Sequence, residues 1–274
     1  MRSMDITLII PARYASTRLL GKPLIKIAGK EMLLRVWEIA QIVKKNIGGN
    51  KIETIVATDD ARIAEFCNKH NIKNVMTSVD CATGTDRVME VIKKLDYRPK
   101  FVVNLQGDNP LCPPWFIEEL INTYKKDPTI EVVTPVVTLS WEELDKLREN
   151  KKATPTSGTC TVVDKKGDAM YFSKQIIPAI KKEDEKRKTM PKSPVKRHIG
   201  LYGYSIGTLL DLPGLTKGYY EAFESLEQLR FLENGIKIKC VEVDYKDRIG
   251  MSGIDALEDI ARAEEIIKKC GEFK

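Results

Sequence analysis

Short apolar runs alternate with amphipathic stretches along the first half of the chain. Ile6 to Ile10 is apolar and stops at Pro11, the pattern of a buried strand ended by a proline. From Met32 to Val43 apolar residues recur at helical spacing, at Leu33, Val36, Trp37, Ala40 and Val43, which predicts a helix packed on a sheet. Ile52 to Ala57 reads as a second strand, and Thr58-Asp59-Asp60 ends it and caps a helix from Ala61 to His70. Val75 to Thr77 is a short third strand. The turn Cys81 to Arg87 opens a helix with apolar positions Val88, Val91, Ile92 and Leu95. Phe101 to Leu105 predicts a fourth strand, and Pro113-Pro114 precedes a helix from Trp115 to Tyr124. Val132 to Val137 is a further strand. This alternation predicts a parallel sheet with helices on both faces.

From Trp141 the pattern changes. A short helix to Glu149 leads to Thr159–Val163 and Ala169–Phe172, joined by Lys165-Lys166-Gly167-Asp168, which reads as a hairpin. Residues 181–196 are mostly charged, with Pro191 and Pro194, and read as a mobile, solvated loop; a lid over an anionic site is the alternative. Along Arg197 to Tyr204, residues His198, Gly200, Tyr202 and Tyr204 fall on one strand face. Ser225 to Gly235 predicts a helix closed by glycine, with Leu226, Leu229 and Leu232 on its core face. Ile238 to Val243 returns as a strand, and Gly253 to Ile260 opens a last helix. No internal repeat or low-complexity segment interrupts the chain. The expectation is one domain over 1–274, with 141–204 an inserted hairpin subregion.

Composition narrows the class of protein. Hydrophobic residues make up 42% of the 274 and charged residues 31%, which fits a soluble globular enzyme. The net charge of +6 is modest and spread along the chain. A nucleic-acid binder would concentrate it in a stripe, whereas an anionic small substrate suits it equally well. The six cysteines form no CxxC pair, and with no secretory h-region they read as free thiols in a reducing cytoplasm. Two histidines exclude a histidine-rich metal site. No apolar run is long enough to span a membrane.

The loop after the first strand carries the chemistry. Arg13, Arg18 and Lys22 are separated by small and polar residues, and Pro23 keeps the loop from closing into a helix. Open α/β sheets bind ligands at such loops, and three cations with free backbone N–H groups suit a polyphosphate. A solvated surface loop is the plain alternative. Neither Gly21-Lys22 nor Gly29-Lys30 completes a Walker A loop, and no GxGxxG follows the strand. The segment Gln106-Gly107-Asp108-Asn109-Pro110 puts a carboxylate at a strand's carboxyl end, where a simple turn residue is also common.

The run Ile10-Pro-Ala-Arg-Tyr-Ala-Ser-Thr-Arg through Gly21-Lys22-Pro23-Leu24 resembles the nucleotide-binding signature of the 3-deoxy-D-manno-octulosonate cytidylyltransferases, the CMP-Kdo synthetases. The resemblance continues through Val56–Asp60, Thr83–Arg87, Gln106–Pro110, Arg197–Tyr204, Glu227-Gln228 and Gly253–Asp259, nearly the whole chain. It implies a Rossmann-like nucleotidyltransferase fold, a three-layer α/β/α arrangement with a mostly parallel sheet. It implies transfer of CMP from CTP to the anomeric hydroxyl of a 2-keto-3-deoxy sugar acid, with release of pyrophosphate, for lipopolysaccharide or surface-glycan synthesis. By the same resemblance Arg13, Ser16, Arg18, Lys22, Thr83, Gly84, Arg87 and Asp108 contact CTP. Gln106, His198, Tyr202, Glu227 and Gln228 contact the sugar. Asp108 and Asp255 hold magnesium, and Lys22, Arg13, Asp108 and Asp255 are the catalytic set. A cytoplasmic homodimer built through the hairpin follows, with no nucleic-acid or membrane partner. The chain departs from the family pattern at Leu20, Asn109, Thr161, Ala256 and Leu257, around the sugar and metal regions. An 8-amino or nonulosonate sugar acid therefore stays open, as does a non-catalytic nucleotide sensor on the same fold.

Overall fold

The structure, a computed structural model, describes residues 5–15, 18–251 and 253–273. The chain begins with β1 (Ile6–Ala12), a 3-10 turn at Lys22–Leu24, and the two-residue strands β2 (Lys26–Ile27) and β3 (Lys30–Glu31). There follow α1 (Met32–Asn46), β4 (Ile52–Thr58), α2 (Ala61–Lys69), β5 (Asn74–Met76), α3 (Gly84–Lys94), β6 (Phe101–Asn104) and α4 (Pro114–Lys126). The middle holds β7 (Val132–Thr138), α5 (Trp141–Ala153), β8 (Cys160–Val163), β9 (Ala169–Ser173), α6 (Glu183–Thr189) and β10 (Lys196–His198). Last come β11 (Tyr202–Ser205), α7 (Ile206–Asp211), α8 (Tyr219–Glu224), α9 (Gln228–Glu233), β12 (Ile238–Glu242) and α10 (Leu257–Cys270). Two compact units result: Met1–Asn122 with Leu201–Leu209 and Tyr245–Lys274, and Thr123–Gly200 with Leu210–Asp244.

In the first unit the strand order is β5-β4-β1-β6-β11. The first four are parallel and β11 runs antiparallel to β6. This is the mostly parallel α/β arrangement expected from the sequence. The apolar run of β1 is central for a physical reason: Leu8, Ile9 and Ile10 are fully buried and can be covered only with strands on both edges and helices above. Successive strands go one way from β1, to β4 and β5, and then return to its other side at β6. That reversal makes the carboxyl ends of β1 and β6 the switch point where a ligand crevice opens. Helix α1 buries Leu33, Val36, Ala40 and Val43 as its period predicts, while Ile39 goes inward and Trp37 stays half-buried. Each such Leu, Ile or Val burial is worth roughly 1.5–3 kcal/mol. At α2 the Asp60 side chain accepts the Arg62 N–H at 2.9 Å, the cap read from sequence.

In the second unit β7 pairs in parallel with β12 and antiparallel with β10. Strand β10 continues to the β8–β9 hairpin, whose register shifts at Val162/Val163. Three expectations change here. Residues 181–196 contain helix α6, because Glu183 and Arg187 find ion partners on α5. The single strand face from His198 to Tyr204 is instead two strands, β10 paired with β7 and β8, and β11 paired with β6. The helix expected from Ser225 starts at Gln228, because Ser225 sits in the left-handed region at φ 49° and ends α8. The cysteines are free thiols, and five of the six are buried.

Candidate functional site

A cavity of about 420 Å³ opens in the first unit at the ends of β1 and β6. Arg13, Arg18, Lys22, Gln106, Asp108 and Asp255 are among the residues lining it. Two close approaches shape its floor. A Cβ on Gly107 would come within 2.4 Å of the Pro11 carbonyl oxygen, so only glycine lets the loop after β6 lie against the end of β1. A Cβ on Gly253 would sit 3.1 Å from Asp108 Oδ1, and the Ile254 N–H donates to the Asp108 carbonyl at 2.8 Å. The segment before α10 is thereby docked on the Asp108 turn.

That docking joins Asp108 and Asp255 around one ammonium. Lys22 Nζ donates to Asp108 Oδ2 at 2.9 Å and to Asp255 Oδ1 at 3.3 Å, and Arg18 Nη2 lies 3.0 Å from the same Asp255 oxygen. The Lys22 side chain is only 13% exposed, but Asp108 and Asp255 are 42% and 50% exposed, so the cation is largely buried while the carboxylates stay open to water and to a ligand. Asp255 is not the cap of α10. Its side chain goes to Lys22 and Arg18, and Asp259 Oδ2 accepts the N–H groups of Asp255 and Ala256 at 2.8 and 2.9 Å. The two carboxylates converge on one cation, so they can offer oxygen to one hard metal ion. Among the described residues no cluster of three or more His, Cys, Asp or Glu forms a cage of protein ligands alone.

The other expected residues divide. Gly84 lines the cavity beside Pro11 and Gln106. Thr83 lies at the N-cap of α3, where its hydroxyl accepts the Asp86 N–H at 3.0 Å and its own N–H donates to Asp86. Arg87 lines the cavity but is itself fully buried, with Nη2 on Asp59 Oδ2 at 2.8 Å and Nη1 on the Thr77 hydroxyl. Its Nε has no hydrogen-bond partner among the described residues. Ser16 lies outside the described residues. Tyr202, in the first unit, stacks on Tyr204 with ring centroids 5.9 Å apart. In the second unit His198 is buried, with Nε2 2.8 Å from the Thr134 hydroxyl and Phe172 edge-on at 5.1 Å. Burial pushes the His198 pKa down to about 3, so the ring is neutral near pH 7. Gln228 is buried at the start of α9 and Glu227 precedes it. Of the departures, Leu20 and Leu257 are exposed. Thr161 is buried and donates to the Tyr171 carbonyl at 2.8 Å. Asn109 is buried, and its Oδ1 has no partner among the described residues.

Sequence reasoning did not assign roles to Asp59 and Asp259. Asp59 neutralises Arg87, and its only signal was a second carboxylate beside the capping Asp60. Asp259 holds the backbone of Asp255, and its place three residues after Ala256 is a capping-box spacing that could have been read.

Cations and paired carboxylates at the switch point of an α/β sheet suit a nucleotidyltransferase, which works by charge neutralisation and alignment at phosphate. Comparison with known proteins narrows the class. The Cytidylyltransferase family model matches residues 7–238. A 3-deoxy-manno-octulosonate cytidylyltransferase of Maricaulis maris is 44% identical over 270 residues, covering 98% of this chain and 100% of that protein. One from Zea mays is 37% identical over 260 residues, covering 95% of this chain and 80% of that protein. A solved CMP:2-keto-3-deoxy-manno-octonic acid synthetase complexed with CTP matches with a TM-score of 0.82 at 32% identity, over 97% of this chain and 99% of that one. The chain belongs to the 3-deoxy-manno-octulosonate cytidylyltransferase family.

Proposed function

We propose that this enzyme transfers CMP from CTP to the anomeric hydroxyl of 3-deoxy-D-manno-octulosonate and releases pyrophosphate. The observation that carries this reading is the meeting of Arg13, Arg18 and Lys22 with Asp108 and Asp255 in one cavity at the sheet's switch point. The names of the relatives, and the CTP in the solved neighbour, support it.

The α-phosphate is shielded by its own negative charge, so the chain's first task is neutralisation and alignment. Arg13, Arg18 and Lys22 take the triphosphate and then the leaving pyrophosphate. Buried Arg87, its charge balanced by Asp59, contributes a fixed part of the cavity wall. Magnesium fits Asp108 and Asp255: both are hard oxygen donors, both touch one cation-sized point, and this metal takes few protein ligands beside phosphate and water. When bound it supplies charge neutralisation and lowers the pKa of a coordinated hydroxyl, so the chain need not provide a dedicated side-chain base. Gln106, His198, Tyr202, Glu227 and Gln228 are the proposed sugar contacts. As a neutral ring, His198 serves there by hydrogen bonding and shape, not by proton transfer. The proposal extends to a cytoplasmic homodimer whose product feeds lipopolysaccharide or another surface glycan.

Pyrophosphate release with CTP and a panel of 2-keto-3-deoxy sugar acids tests the reading. Turnover with 3-deoxy-D-manno-octulosonate above the 8-amino and nonulosonate analogues is expected. No release with any member of the panel removes it.

A further inference from the structure

Arg13 and Lys22 are tied together by their neighbours. Tyr14 follows Arg13 and Gly21 precedes Lys22. The Gly21 N–H donates to the Tyr14 carbonyl at 2.9 Å. Gly21 has φ 68°, and a Cβ on it would meet the Tyr14 ring at 3.0 Å, so the ring lies directly against the glycine backbone. A second contact holds the ring. The Arg62 guanidinium carbon lies 3.3 Å from the Tyr14 ring centroid. Asp60 in turn fixes that guanidinium as a fork, with Nε on Oδ1 at 2.9 Å and Nη2 on Oδ2 at 2.7 Å. The same carboxylate caps α2, which follows β4, and β4 is paired with β1 along its whole length. None of Asp60, Arg62 and Tyr14 is among the residues lining the cavity.

We propose that Asp60, Arg62 and Tyr14 are positioning residues, a clamp that sets the spacing of Arg13 and Lys22 toward the CTP phosphates. The proposal rests on the reading of these two cations as phosphate ligands. Its physical basis is stiffness. Arg13 follows the end of β1 and Lys22 opens the short 3-10 turn, so no long helix or strand carries the two together; the ion pairs with Asp108 and Asp255 hold the Lys22 ammonium but do not reach Arg13. The clamp refers both to the rigid end of β4. Arginine suits the middle position because one planar group can fork onto a carboxylate and stack on a ring at the same time.

The test is steady-state pyrophosphate release by the full chain, with thermal melting alongside. Arg62→Ala and Tyr14→Ala are expected to raise KM for CTP on the order of tenfold, with KM for the sugar acid within about twofold and melting little changed. Tyr14→Phe keeps the stacked face and is expected to match the wild type. Asp60→Asn still caps α2 but loses half of the fork, so it is expected to raise KM for CTP without lowering melting. A wild-type KM for CTP in Arg62→Ala overturns the clamp, as does a Tyr14→Phe defect equal to that of Tyr14→Ala. Equal rises for both substrates also overturn it, because they mark general damage to the fold. Lys22→Ala separates the clamp from its parent reading. If Lys22→Ala is impaired and Arg62→Ala is not, only the clamp fails; if Lys22→Ala also keeps wild-type CTP kinetics, the phosphate reading fails with it.

Discussion

Two charged stretches of this chain look alike as sequence and behave differently as structure. Residues 13–22 carry three cations, and residues 181–196 carry both signs in dense succession. In the first, Lys22 finds its counter-charges 86 and 233 positions away, at Asp108 and Asp255. Those carboxylates are brought by other loops to the crevice of a parallel sheet. In the second, Glu183 and Arg187 find partners 35 and 42 positions away, on the single helix α5. Arg148 forks onto Glu183 at 2.8 and 2.6 Å, and Arg187 forks onto Asp145 at 3.0 and 2.6 Å while its guanidinium lies 4.8 Å from the Trp141 ring. Charge density therefore does not mark function in this molecule. Helix α6 spends Glu183 and Arg187 on docking to α5, whereas the loop gathers ionic groups that share a cavity with room for a ligand.

The largest effect that can break this contrast is at the carboxylates. Asp255→Asn is expected to lower kcat on the order of a hundredfold, by analogy with the loss of other metal-shell groups. Asp108→Asn should behave alike, and the double variant should be little worse than either single one. Fully additive losses in pyrophosphate release would show that the two carboxylates do not act together. Lys22→Ala is expected to reduce kcat by roughly tenfold or more, since it removes a cation from the developing phosphate charge. Circular dichroism should be unchanged in that variant, and unchanged turnover would take the loop out of the mechanism. Gln228→Ala should raise KM for the sugar acid more than KM for CTP; the reverse order would refute its assignment to the sugar.

The smallest expected effect belongs to the charged helix. Glu183→Gln should leave kcat untouched and lower the melting temperature slightly. Hydrogen bonds from Arg148 and then Arg187 hold the Glu183 carboxyl down to about 2. Its pKa is depressed on folding, so its stabilisation is complete above the unfolded value of about 4.3 and is lost as pH falls toward 2. Acid melts of the wild type and the variant should therefore converge as pH falls from about 4 toward about 2. A gap that widens with acid would contradict the pairing.

Short-range order is legible in the chain itself. The Asp60 cap, the inward face of α1, the hairpin turn at Lys165–Asp168 and the glycine after α9 all appear where local pattern places them. Each depends on neighbours within about four residues, where side-chain period and backbone chemistry act directly. Even α6, expected as loop, carries a local signal: an acidic first turn followed by a basic last turn suits a helix dipole. Strand neighbours are not legible in this way. Alternation from His198 to Tyr204 states which residues share a face, but not that β10 joins β7 and β8 while β11 joins β6. The site divides along the same line. By itself the sequence determined the cation loop after β1 and a carboxylate after β6, because both follow from where an apolar run stops. Only the tertiary structure decided that Asp255 would join Asp108 on Lys22 rather than cap α10. That choice depends on Gly253 fitting against the Asp108 turn, a steric fact between residues far apart in the chain, and no local pattern encodes it.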